Sequence, residues 1–214
     1  MAVRIVFRDG EERGQRAGAQ GIVGDYFDTV VDVDATAEDA PRLAAEVLSW
    51  LVAEGIVEPE PSAPAFDIEG DGYPPGPQCG KAFRGDPDRA LGLSLHVGRT
   101  VFDAGQGDPE AVTCPHCSAR VELMDEDRDL DDEAWGLFAE AVQTWAGSED
   151  PSPVRCPSCG TSAPVHRWIW ADDHFAFGHL GFVFWNWDAL RPDFVAELTR
   201  RLGGHRTVEL EGKL

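Results

Sequence analysis

Four cysteines fall in two tight pairs, Cys114 with Cys117 in "TCPHCSAR" and Cys156 with Cys159 in "RCPSCGTS". Thiolates are soft, strongly donating ligands, and zinc takes four of them in a tetrahedron. One Cys-x-x-Cys knuckle offers two sulfurs on one side of the ion, and a second knuckle completes the set. A proline directly follows the first cysteine of each pair, and Gly160 follows the second pair, where a tight knuckle tends to need positive φ. The pattern predicts one zinc held by Cys114, Cys117, Cys156 and Cys159. Four thiolates leave no open position, so the expected zinc is structural rather than catalytic. His116 lies between the ligands of the first knuckle and is a competing donor. Two separate redox pairs are the rival reading, but each would need a strand-to-helix junction in a βαβ unit, a context neither pair has. Cys79, in "YPPGPQCGKAF", reads as an ordinary free thiol; a fifth ligand or a nucleophile is the lesser alternative.

A second stretch could do chemistry. "WADDHFAFGHLGF" places Asp172, Asp173, His174 and His179 within eight residues. Carboxylates beside histidines can perform general acid–base work or hold a second metal. The competing reading is a turn at 172–174 leading into a strand, with the histidines packed among aromatic rings. Asp172, His174, His179 and His96 are therefore the candidates should the protein be an enzyme, and convergence in one pocket is what would favour that reading. There is no G-x-S-x-G elbow for a serine nucleophile. A dinucleotide fingerprint is also absent.

The elements that must position these groups are legible in the apolar spacing. "VRIVF" at 3–7 and "YFDTVVDVD" at 26–34 read as strands. Residues 39–54 read as a helix, with Asp39 as a possible cap, Pro41 in the first turn and Gly55 as the stop. Residues 58–80 hold six prolines and four glycines, so a loop is expected, with Tyr73 docked on the body of the protein. Residues 90–104 alternate as a strand with a turn at Gly98 and with His96 on the solvent side. The knuckles are separated by 38 residues, 118–155, and "DDEAWGLFAEAVQTWAG" within them reads as a helix with Trp135, Phe138, Val142 and Trp145 on one face. "FGHLGFVFWNW" reads as a buried strand with aromatics on both faces. A helix from Pro192 to Leu202 buries Phe194, Val195, Leu198 and Leu202, and "RTVELEGKL" closes the chain as a strand.

With the knuckle region set aside, the order is βαββαβ. The expected fold is α+β, a ferredoxin-like (split βαβ) core with an inserted zinc-ribbon module carrying an extra helix. Residues 1–110 and 172–214 would form the core, and 111–171 the insertion.

The 214 residues carry 39 acidic and 18 basic side chains, a net charge of −21. Such a charge repels nucleic acid at long range and favours a basic protein surface as partner, although a solvated face without a partner is the plainer reading. The segment 118–155 carries 11 acidic and 3 basic side chains, a net of −8. Arg120, Arg155 and Arg167 are the basic residues near the knuckles and the one hint toward nucleic acid. No run of 18 apolar residues is present, so no membrane span is expected. The N-terminal stretch lacks a signal pattern, and the odd cysteine count does not read as a disulfide framework; both point to the cytoplasm.

The stretch from "FGHLGFVFWNWDAL" through "FVAELTRRLGGHRTVELEGKL", with "GYPPGP" and the paired knuckles, resembles a family of uncharacterised bacterial zinc-ribbon-containing proteins. Some of its members carry automated transporter-ATPase names. This sequence has no G-x-x-x-x-G-K-[ST] loop to cradle ATP phosphates. The resemblance covers about half the chain and implies a zinc ribbon and a shared fold, without an activity. Three functions stay open: a non-catalytic interaction module, a small hydrolase or transferase using the Asp/His group, and a nucleic-acid-associated ribbon.

Overall fold

Asp32 ends the first strand by chemistry as much as by sequence. Its buried carboxylate accepts the N–H groups of Asp34 (3.1 Å) and Ala35 (2.9 Å), which turns the chain away from strand β1 (Tyr26–Asp32) toward helix α1 (Ala40–Ala53). The computed structural model describes residues 26–62, 72–105, 107–148 and 150–213. The strand expected at 3–7 lies outside the described residues. Pro41 sits in the first turn of α1, where its missing N–H costs nothing. Asp39 precedes the helix but caps nothing with its side chain; its carboxylate instead accepts the Thr36 hydroxyl at 2.8 Å. At the other end Ile56 N–H reaches Leu51 O and Gly55 N–H reaches Val52 O, which satisfies the last free carbonyls.

The central sheet has four strands in the order β2 (Gly92–Asp103), β8 (Phe175–Trp185), β1, β9 (Thr207–Lys213), and every neighbouring pair is antiparallel. Helix α1 connects β1 to β2, and α3 (Pro192–Arg201) connects β8 to β9. Both helices pack on one face. Leu43, Val47 and Leu51 of α1 and Phe194, Val195 and Leu198 of α3 meet Val30, Leu93, Leu180, Phe182 and Phe184 of the sheet. The loop before β2 docks against this core. Tyr73 exchanges backbone hydrogen bonds with Leu93, Phe83 is buried against Trp187, and Cys79 is buried with them.

Strand β2 does not turn at Gly98, as its sequence suggests. It carries a bulge between Val97 and Thr100 and runs on to Asp103. His96 is half-buried rather than open to solvent. It pairs opposite Gly181, on the face away from the leucines, and lies edge-on to Phe102 at 5.7 Å. Gly181 is required there: a Cβ would run into the Phe102 ring.

The region between β2 and β8 is built from short pieces. Strands β3 (Ala111–Thr113), β4 (Arg120–Glu122) and β7 (Ile169–Trp170) form one small sheet; β5 (Pro153–Arg155) and β6 (Ser162–Pro164) form a hairpin. Helix α2 (Asp132–Gly147) lies over them and buries Phe138, Val142 and Trp145, with Trp135 half-buried. This second core, with Cys114, Cys156, Leu123 and Trp168, also takes in Val101 of β2 and Phe177 of β8. Among the described residues the fold is thus mixed α+β with antiparallel sheets, three α-helices and a cysteine cluster. Among the described residues, no helix is long and apolar enough to cross a membrane.

Candidate metal centre

The two knuckles are the same structure made twice. Cys114 N–H donates to Ala119 O and Ser118 N–H returns to Cys114 O; Cys156 N–H donates to Thr161 O and Gly160 N–H returns to Cys156 O. The residue after each second cysteine must take positive φ to close this loop. Gly160 does so at 72°, as its sequence position suggests, and Ser118 does so at 59° without being glycine. Hairpin β3–β4 carries the first knuckle and hairpin β5–β6 the second.

Together they bring four Sγ atoms within 4.8 Å of one another. Cys117 Sγ lies 3.8 Å from Cys156 Sγ, which joins one knuckle to the other. Cys114 and Cys156 are buried; Cys117 and Cys159 are exposed. Backbone N–H groups point at the sulfurs. His116 N–H approaches Cys114 Sγ at 3.4 Å. The Cys159 N–H, with help from Ser158 and the neighbouring thiols, outweighs burial and holds the Cys156 thiol down at about 6. The Thr161 N–H and hydroxyl lower Cys159 in the same way. For Cys117 the Ala119 N–H favours the thiolate, but burial and the proton held among Cys114, Cys159 and Cys156 prevail and push it up to about 12. Four sulfurs this close cannot all ionise in the absence of a cation, so some keep their protons. A soft divalent ion removes the conflict, because it replaces the shared protons with a charge that all four sulfurs can face. The cluster could hold a metal ion, and His116 is not part of it.

The module is fixed to the central sheet at the bulge. Arg99 projects from it and donates to Trp145 O (2.5 Å) and Asp150 O (2.7 Å), while its guanidinium lies 4.0 Å from the centre of the Trp145 ring. Helix α2 has no basic residue in its own last turn, so β2 supplies the cation its C-terminus favours. Trp145 is also edge-on to Phe177 at 5.1 Å.

The enzyme candidates have separate neighbours. Asp172 and Asp173 occupy a tight 3-10 turn with φ of 52° and 50°, and Asp172 is felt by Arg120. His174 stacks edge-on to Phe175, and burial lowers its pKa against the pull of Asp103 and Asp108. His179 lies beside Trp145. His96 lies beside Phe102, and burial lowers its pKa. Among the described residues, the four cysteines are the one group of three or more potential ligands close enough to share an ion.

Two polar loci were not visible in the sequence. His205 Nδ1 lies 2.9 Å from Asp32 Oδ2, which ties the α3–β9 connection to the end of β1. Asp28 is half-buried and pushed up to about 7, first by burial and then by Glu211, Glu209 and Asp188. Neither has a local motif, since the partners lie more than 150 residues apart in the chain for both.

No family model, curated protein or solved structure matches this chain.

Proposed function

We propose that this protein is a non-catalytic interaction module whose Cys114, Cys117, Cys156 and Cys159 hold one structural zinc, and whose partner is a basic protein surface. The observation that carries the zinc reading is the four-sulfur cluster with backbone N–H groups aimed at it. Thiolate donors in a closed set of four suit zinc and leave no position for substrate.

The partner reading rests on charge placement. Asp125, Glu126, Asp127, Asp129, Glu133 and Glu140 are all exposed around α2, and Leu137 stands among them at 46% exposure. Part of this charge is used locally: Asp125 accepts the N–H groups of Asp127 and Asp129, and Asp131 caps α2 through Glu133 and Ala134 N–H. The remainder steers cations inward and polyanions away.

The fold reading belongs here as well. Sheet order β9-β1-β8-β2, with two helices on one face, supports a ferredoxin-like core into which 111–171 is inserted. The paired knuckles support kinship with the zinc-ribbon family that the sequence resembles, and reduced thiols suit a cytoplasmic setting.

Metal analysis after purification without chelator should give zinc near one equivalent; metal-free protein with ordered knuckles would sink the zinc reading. A pull-down at low and high salt, beside a DNA-binding assay, tests the partner. Capture of a basic protein that is lost on neutralising Asp125, Glu126, Asp127 and Asp129 supports it. Tight nucleic-acid binding, or a partner indifferent to those four changes, defeats it.

A further inference from the structure

We infer that the metal centre is a peroxide-sensitive latch, opened from its exposed side through Cys117 and Cys159. This rests on the zinc reading above and adds a mode of regulation to that site. The five cysteines are not equally reachable. Cys114 and Cys156 are 1% exposed and sit in the module core beside Val112, Leu123 and Phe138. Cys79 is 5% exposed within the other core, where burial also raises its pKa. Cys117 and Cys159 are exposed, one from each knuckle. A peroxide arriving from water meets those two sulfurs first.

The chemistry balances without a further reactant. The Cys117 sulfur attacks one oxygen of hydrogen peroxide; an S–O bond forms as the O–O bond breaks, and the departing hydroxide takes a proton to leave as water. The Cys117 sulfenic acid then meets a thiolate of the same cluster, and Cys156 lies 3.8 Å away. Their S–S bond forms as the second hydroxide leaves, again as water. Two thiolates, one peroxide and two protons give one disulfide and two waters, with two electrons passing from sulfur to peroxide. An ion that loses two of four ligands is released. Loss of the ion then loosens the knuckles and the short strands between β2 and β8, while the central sheet keeps its own apolar core.

The test uses the zinc-loaded full chain, graded hydrogen peroxide, a chromophoric chelator to follow zinc, and a 1,3-diketone to trap sulfenic acid for mass spectrometry. Zinc measured before oxidant separates the two proposals: protein that never held zinc refutes the zinc reading, whereas zinc that survives oxidation refutes only the latch. The expected result is zinc release with diketone label on Cys117 or Cys159, no label on Cys79, and recovery of zinc binding after a thiol reductant. Label first on Cys114, Cys156 or Cys79, or release that no reductant reverses, overturns the inference. Cys117→His retains a zinc donor but removes the oxidisable sulfur, and should slow release by about tenfold or more. An unchanged rate in a zinc-loaded Cys117→His protein also overturns it. Should that variant fail to load zinc, the labelling order in the unaltered chain still decides the matter.

Discussion

The two cores of this molecule are held together differently. The central sheet has strands of 7 to 12 residues and is sealed by helices of 14 and 10 residues. Its interior is continuous apolar packing, from Val47 and Leu51 through Phe182 and Phe184 to Leu198, and needs no special chemistry. The module between β2 and β8 has strands of two or three residues. A hairpin that short gains a few backbone hydrogen bonds, each worth about 0.5–1.5 kcal/mol net, against about 1–2 kcal/mol of ordering cost per residue. It cannot stand on pairing alone. What remains is the small apolar core under α2, the Arg99 anchor and the four sulfurs. Burial alone holds the sheet half; the second core is smaller and lacks strand length, which an ion cross-linking the four sulfurs would make up for.

The sharpest way to break this contrast is to remove the cross-link. Cys156→Ser, or chelation of the metal, should disorder both knuckles and the short strands, because a structural zinc contributes about 10 kcal/mol or more to a unit this small. Hydrogen exchange should rise through 111–171 and at the Val101 and Phe177 ends of β2 and β8, and stay low in α1, α3 and β1. Loss of protection everywhere would mean that the two cores are a single unit. The complementary change is Phe182→Ala, at a side chain 0% exposed in the sheet core. It should cost about 3–5 kcal/mol in global denaturant unfolding while zinc content stays unchanged.

Arg99→Ala tests the joint between the halves. It removes a cation from the C-terminus of α2 and from the Trp145 ring, and should cost about 1–2 kcal/mol. Exchange in the last turn of α2 should quicken while zinc is retained. Asp28 gives a pH signature to the sheet half alone. Its carboxyl titrates near 3.8 in an ordinary setting and about 7 in the fold, so the folded state holds the proton more tightly between those values. Its contribution is fully present below pH 3.8 and is lost as pH rises toward 7. Asp28→Asn should therefore stabilise the protein at pH 8, by about 1 kcal/mol after allowance for solvent screening at this half-buried site, and leave pH 3.5 little changed. Thermal unfolding at the two pH values would show it. The smallest effect belongs to the knuckles: Ser118→Gly relieves a side chain held at φ 59° and should stabilise the metal-bound module by about 0.5 kcal/mol. A loss of stability there would mean that the Ser118 side chain does something the Gly160 position does not need.

Much of this architecture is legible in the residue spacing. The helix face Trp135, Phe138, Val142, Trp145 and the face Phe194, Val195, Leu198, Leu202 follow from it, because a helix repeats every 3.6 residues whatever it packs against. The Cys pairs are legible for a similar reason: each knuckle is closed by hydrogen bonds between residues four and five apart, so its shape is written locally. The partial burial of His96 is not legible, because alternation says which residues share a face but not what lies against that face. Phe102, on the far side of a bulge, lies against it. The bulge itself is hidden because Gly98 permits a turn and a bulge equally.

Residue types and spacing are enough for the long strands and helices, the four candidate ligands and the acidic balance, but not for the two- and three-residue strands β3 to β7. The convergence of the two knuckles, 38 residues apart in sequence, to within 4.8 Å comes from tertiary packing. The same packing sets Arg99 against a helix end 46 residues away, joins Asp32 to His205 across 173, and gives Asp172, His174, His179 and His96 their ring and charge neighbours. Such meetings are fixed by how sheets and helices stack to bury their apolar faces, a property of the whole chain that no local spacing encodes.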